Sequence, residues 1–127
     1  MSWRVGVSAG FSAAHFHTGA DEDCARVHGH NYRVEAVVEA GELEAGMALD
    51  FRRLRRLIQE AVKGWDHRLL NEVADFRDRQ PTTENIARIL YRKLANALED
   101  EAGEPIEVKV WEKDDCWAAY GPGSADA

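Results

Sequence analysis

The chain predicts an α+β domain: an antiparallel sheet with two helices packed on one of its faces, in the order β-β-α-α-β-β. Two observations carry this expectation. Apolar and polar residues alternate with period two near both ends of the chain, and two stripes of helical period lie between them. No repeat, low-complexity tract or linker interrupts the pattern, so residues 1–127 read as a single domain.

The first strand is expected over Trp3 to His15. Its odd positions are Trp3, Val5, Val7, Ala9, Phe11, Ala13 and His15, against Arg4, Gly6, Ser8, Gly10, Ser12 and Ala14 at the even ones. Unless a bulge intervenes at Gly10, His15 falls on the apolar, inward face. A charged loop, Gly19 to Asp23, then leads to Cys24. The second strand is expected over His28 to Ala40. Tyr32, Val34, Ala36 and Val38 share parity with His28 and His30, while Arg33, Glu35 and Glu39 lie opposite. Parity therefore turns all three imidazoles inward.

Gly41 to Gly46 reads as a turn and Met47 to Leu49 as a short return strand, after which Asp50 can cap a helix. Leu54, Leu57, Ile58, Ala61, Val62 and Trp65 form its apolar stripe, and Gly64 is its expected stop. Asp66 and His67 then fall at the helix end or in the next loop. The second helix starts at Gln80–Pro81–Thr82–Thr83, with either threonine as N-cap. It carries Ile86, Ile89, Leu90, Leu94, Ala97 and Leu98 inward and ends at Gly103. Strands are expected over Ile106 to Glu112 and Cys116 to Tyr120, followed by a loose tail at Gly121 to Ala127. Glu112 shares the parity of Ile106, Val108 and Val110, and a carboxylate on that side needs a reason.

Composition narrows the function. The 127 residues suffice for a core without disulfides, and 45% hydrophobic with 31% charged residues is ordinary for a soluble protein. A formal net charge of −7 argues against a general nucleic-acid or anionic-membrane binder, though it permits a local basic pocket. No apolar run has the length of a membrane span, the start MSWRVGVSAG lacks a secretory pattern, and two distant cysteines form no disulfide framework. A cytoplasmic protein is the expectation.

Four of the five histidines and Cys24 lie between Phe11 and Tyr32. His15, His28 and His30 on one face suit a metal, and three neutral imidazoles are a common catalytic zinc set. Zinc is expected over iron, because no carboxylate completes a facial triad there. His17 reads as a loop residue. Cys24 can be a fourth ligand, a thiolate nucleophile or base, or a small buried hydrophobe, and a cationic or metal-bearing neighbourhood would lower its pKa. Cys116 reads as structural. Asp66–His67 is either a helix C-terminus meeting the dipole or an acid–base pair. Glu84 complements a helix dipole, and the cluster Arg52 to Arg56 reads as a solvated face.

Six motifs occur in one order: Phe11–Ser12–Ala13–Ala14–His15; Cys24 with His28–Gly29–His30–Asn31–Tyr32; Gly46–Met47 with Asp50–Phe51; Asp66–His67 with Leu70–Asn71; Pro81–Thr82–Thr83–Glu84–Asn85; and Trp111–Glu112. In this, from about Val5 to Tyr120, the chain resembles the 6-pyruvoyl-tetrahydropterin synthase family. That family includes the 6-carboxy-tetrahydropterin synthases of queuosine biosynthesis. The resemblance implies a tunnelling fold, with sheets of several subunits pooled into a β-barrel, commonly a hexamer of two trimers. It implies zinc on His15, His28 and His30, and a substrate of the 7,8-dihydroneopterin triphosphate type. Glu112 would anchor the pterin, helped by Thr82, Thr83 and Glu84, while Cys24, Asp66 and His67 would move protons.

The three-residue spacer between Cys24 and His28 resembles the 6-carboxy branch, whose members release acetaldehyde and triphosphate; the biopterin branch eliminates triphosphate and keeps the side chain as a diketone. Two departures from the family pattern, Lys113 and Trp65, bear on substrate fit. Other readings stay open: a non-catalytic module with a structural zinc on one cysteine and three histidines, or a member repurposed as a pterin-binding or aldolase-like protein.

Overall fold

The computed structural model describes residues 1–19, 21–101 and 103–123. In chain order they form β1 (Trp3–His15), α1 (Glu22–Ala25), β2 (His28–Ala40), α2 (Phe51–Val62), β3 (Arg68–Leu69), α3 (Thr83–Ala97), β4 (Glu104–Lys113) and β5 (Cys116–Tyr120). The sheet order is β3-β1-β2-β4-β5, antiparallel except for β3, which runs parallel to β1 at the edge. The expected α+β architecture is present, with the short α1 and β3 added to it.

The β1–β2 register is unbroken from Trp3↔Ala40 to His15↔His28. Gly10 therefore introduces no bulge, and the period-two pattern survives along the whole strand pair. Val7, Phe11 and Ala13 of β1 and Tyr32, Val34, Ala36 and Val38 of β2 are buried in one cluster with residues of both long helices. Both helices thus cover the same face. Asp50 caps α2 by accepting from the Arg52 amide at 2.8 Å, and Leu54, Ile58 and Val62 supply its buried stripe. Thr82, rather than Thr83, caps α3, accepting from the Asn85 amide at 3.2 Å. No helix among the described residues is long and apolar enough to cross a membrane.

Three expectations need correction. Met47–Leu49 is not a strand, because Glu44 and Met47 pair alone. Ala45 and Gly46 both sit at positive φ (50° and 80°), and this tight turn spends the hairpin on a single residue pair. Helix α3 ends at Ala97, six residues short of Gly103. Ile106 is the extra residue of a β-bulge where Val37↔Glu107 gives way to Val38↔Pro105, so Pro105 takes the inward position. Of the expected tail, residues 124–127 lie outside the described residues.

Trp65, one of the two departures from the family pattern, is a core residue and lines no cleft. It is fully buried, with its ring 5.6 Å from Phe11 and 5.4 Å from Phe76. Its Nε1 donates to Asp75 Oδ2 at 2.8 Å, and the same carboxylate oxygen meets Lys93 Nζ at 2.9 Å. Lys93 also lies over the indole, 4.7 Å from its centroid. Replacing Trp65 with alanine is expected to cost about 3–5 kcal/mol of unfolding free energy. Urea denaturation measures this, and a loss below about 1 kcal/mol would contradict the packing.

Candidate active site

The site begins with strand register. His15 lies directly opposite His28, and His30 is opposite Ala13, two residues along the same face. One ring nitrogen from each of His15, His28 and His30 lies within 4.8 Å of the others, and among the described residues these three form the group able to hold a metal ion.

Backbone carbonyls fix which nitrogen two of the three rings offer. Pro81 O lies 2.7 Å from His15 Nδ1, and Arg26 O lies 2.7 Å from His28 Nδ1. A carbonyl only accepts, so each Nδ1 carries the hydrogen and each Nε2 keeps its lone pair. His15 Nε2 and His30 Nε2 are buried without a hydrogen-bond partner. Such an orphan costs about 1–3 kcal/mol, and a metal would satisfy it. Desolvation is the main influence holding both imidazoles below their ordinary pKa, which keeps them in the neutral, ligating form. The three imidazoles fit a divalent metal such as zinc, although a carboxylate, Glu112, does stand beside them, against the expectation that none would.

Glu112 faces the same space from β4. Trp111 pairs with Trp117 but Lys113 with Cys116, so Glu112 is the extra residue of a bulge, on the inward parity of Val108 and Val110. Its Oε1 accepts from Thr83 Oγ1 at 3.2 Å and lies 3.3 Å from His15 Nε2 and 3.5 Å from His30 Nε2. Thr83, Glu84, Glu112 and Trp117 line a cleft of about 470 Å³. Thr82 stands one residue back, its hydroxyl committed to the α3 cap. Cys116, expected to be structural, is exposed and lines the same cleft.

Two residues in this neighbourhood escaped the sequence reading. His17 is in a loop, as expected, yet its ring stands edge-on to His15 at 4.6 Å, with Nε2 3.3 Å from His15 Nδ1. The His15-x-His17 spacing, the same as that of His28-x-His30, was the available signal. The Tyr32 hydroxyl lies 3.1 Å from His15 Nδ1, and burial pushes its pKa far up, so it stays a neutral phenol. Amide side chains clamp the loop that follows β1. Asn71 bonds both the N–H and C=O of Phe16 at 2.9 Å, and Gln80 holds Thr18.

Cys24 is half-buried in α1, its amide capped by Asp21 at 3.0 Å. It does not belong to the ligand group formed by the three histidines. Desolvation, then Asp21, and more weakly Glu112 and Asp23, push the thiol pKa up. The chain's own charged groups that act on Cys24 are thus acidic. Asp66 and His67 form a pair at 3.0 Å, but the structure does not bring them to Cys24 within this chain. Asp66 Oδ1 accepts from the Ser12 amide at 2.9 Å, and this bond is the main cause of its lowered pKa. His67, at positive φ and largely exposed, lines a cleft of about 490 Å³ with Ser12, Ala14, Asn31 and also His30, so this cleft reaches one of the three imidazoles.

The Cys24 environment yields a pH-dependent prediction. Asp21→Asn keeps a capping oxygen but removes the negative charge, so the thiol should ionise at lower pH. Iodoacetamide alkylation followed against pH should show its midpoint move down, and an unchanged midpoint would contradict the assigned cause.

The comparisons with known proteins agree with this arrangement. The family model described as 6-pyruvoyl tetrahydropterin synthase matches residues 4–123. A protein of Archaeoglobus fulgidus provisionally named 6-carboxy-5,6,7,8-tetrahydropterin synthase is 40% identical over 90% of this chain and 91% of its own. The dihydroneopterin monophosphate aldolase of Pyrococcus furiosus is 35% identical over 88% of this chain and 91% of its own. Among solved structures, the Caenorhabditis elegans 6-pyruvoyl tetrahydropterin synthase superposes with a TM-score of 0.82 over 97% of each chain at 24% identity, a likeness of fold. With the whole of the site lying inside the matched span, the chain belongs to the 6-pyruvoyl tetrahydropterin synthase family.

Proposed function

We propose that this protein is a zinc-dependent 6-carboxy-5,6,7,8-tetrahydropterin synthase acting on 7,8-dihydroneopterin triphosphate. Acetaldehyde and triphosphate would leave, the pterin would keep a carboxylate, and the product would enter queuosine and related 7-deazapurine biosynthesis. The observation that carries the metal-dependent reading is the pair of orphaned Nε2 atoms beside Glu112. The Archaeoglobus fulgidus relative supports the 6-carboxy branch.

His15, His28 and His30 would hold the zinc. Bound there, it would supply a Lewis acid that acidifies the substrate's side-chain hydroxyls and the protons beside them. Glu112 would accept two parallel hydrogen bonds from the amino-pyrimidine edge of the pterin. Thr83 steadies that carboxylate, and Thr82 and Glu84 shape the start of α3 beside it. Cys24 would give or take the proton on the side-chain carbon. Its acidic neighbours favour the thiol, so its ionisation depends on the positive charge the three imidazoles hold nearby.

Asp66 and His67 complete the proton relay in this reading. Asp66 is held by the Ser12 amide and His67 is largely exposed, so in this reading the pair serves a neighbouring subunit. That arrangement requires a homo-oligomer, and we propose a cytoplasmic hexamer of two trimers with sheets pooled into a barrel. Lys113 is exposed and pairs with the cleft-lining Cys116, and in this reading it adjusts substrate fit.

A second reading rests on the Pyrococcus furiosus relative: an aldolase acting on dihydroneopterin monophosphate. A pyruvoyl-forming triphosphate elimination and a non-catalytic structural zinc module are the remaining alternatives. Incubation of zinc-loaded protein with 7,8-dihydroneopterin triphosphate, and separately with the monophosphate, distinguishes them by mass spectrometry of the products. A carboxylated tetrahydropterin with acetaldehyde is expected. A pyruvoyl product, or turnover of the monophosphate alone, would move the assignment to another branch. In parallel, Cys24→Ala should keep its zinc and fold while losing about 10²–10⁴-fold in turnover. Loss of zinc from that variant would favour the structural module.

A further inference from the structure

The position of Glu112 goes beyond anchoring a pterin. We infer that in the substrate-free protein Glu112 is a fourth protein ligand of the metal, closing the site until substrate draws the carboxylate away. The inference rests on the three-histidine reading above.

Distance is the first argument. Two ligands each about 2.0–2.1 Å from a tetrahedral zinc stand about 3.3–3.4 Å apart. Glu112 Oε1 lies 3.3 Å from His15 Nε2 and 3.5 Å from His30 Nε2, the separation of neighbouring ligands around one ion. The second argument is that neither contact is a hydrogen bond, since both Nε2 atoms lack a partner. His15 has committed its hydrogen to Pro81, so a lone pair faces a carboxylate oxygen across that gap. Such an approach is repulsive unless a cation lies between them.

The third argument is that the carboxylate is aimed there deliberately. Glu112 shares the inward parity of Val108 and Val110, and the Thr83 hydroxyl holds the same oxygen that approaches the imidazoles. Thr83 opens α3, and Pro81, two residues earlier, holds His15. One short segment therefore sets both the imidazole and the carboxylate. His28, on the far side of His15 in the strand pair, supplies the remaining ligand.

A carboxylate bound to metal has lost lone pairs that a pterin's amino edge would use. Binding of the pterin would thus exchange the carboxylate from metal to substrate and open a coordination position only when substrate is present.

Cobalt(II), a spectroscopic stand-in for zinc, tests this without any turnover. Wild type, Glu112→Gln, Glu112→Ala and His15→Ala would be titrated with Co2+, recording visible d–d absorption and affinity by chelator competition, with circular dichroism confirming the fold. Wild type should bind one equivalent with the strong bands of a four-coordinate site. Glu112→Ala should still bind one equivalent, at least tenfold more weakly and with altered bands, and Glu112→Gln should fall between. Glu112→Ala matching wild type in both bands and affinity would overturn the fourth ligand and leave the three-histidine site standing. If wild type bound no stoichiometric cobalt, or His15→Ala bound it equally well, the three-histidine reading itself would fail, and the inference with it.

Discussion

Everything at this site depends on one contact: the hydrogen bond from His15 Nδ1 to the Pro81 carbonyl at 2.7 Å. It joins the end of β1 to the start of α3 across 66 residues of sequence and chooses the tautomer of the most buried imidazole. Without it, His15 could present either nitrogen and rotate. With it, Nε2 must point where the other two imidazoles and Glu112 converge. The unbroken β1–β2 register brings His28 opposite, and the Arg26 carbonyl imposes the same tautomer there. Two backbone carbonyls and one strand register therefore preorganise the ligands before any ion arrives.

Charge explains how such a site could be used selectively. The protein is acidic overall, and the groups nearest Cys24 are acidic too. A thiol kept protonated by Asp21 and Glu112 is protected from adventitious oxidation and alkylation, because the thiolate is the reactive form. The three neutral imidazoles add no charge of their own. A divalent ion held among them would be the dominant positive charge in the neighbourhood, and reactivity at Cys24 would be tied to its presence. The Asp66–His67 pair is bonded to β1 at Ser12, and its cleft touches the cluster at His30 but does not include Cys24.

Much of this was legible in the sequence, and the reasons are physical. Period-two alternation is a geometric necessity of strands, so the inward parity of His15, His28 and His30 followed once no bulge intervened. The caps at Asp50 and Thr82 were readable because short polar side chains there satisfy the first-turn amides of a helix. Glu112 was visible as a carboxylate of the wrong parity. The bulge at Glu112 is not legible, because bulges are set by pairing partners that the local sequence does not reveal. The same limit hid the bulge at Ile106 and the collapse of Met47–Leu49 into a single pair. His17 was dismissed for lying past the strand end, since parity says nothing of a loop that folds back. The charge around Cys24 is not legible in the sequence, because Asp21 and Glu112 are far apart there and meet only in the fold. Trp65 looked like a change in substrate fit and is instead core, a distinction only burial supplies.

The central claim is a metal site built from three imidazoles, with the Cys24 sulfur free of the ion. X-ray absorption at the zinc edge of the purified, zinc-loaded protein tests it most directly. The account predicts a first shell of nitrogen and oxygen only, at about 2.0–2.2 Å, with the multiple-scattering pattern of three imidazoles. A sulfur contribution at about 2.3 Å would place Cys24 on the metal, and the site would then be a closed, structural one.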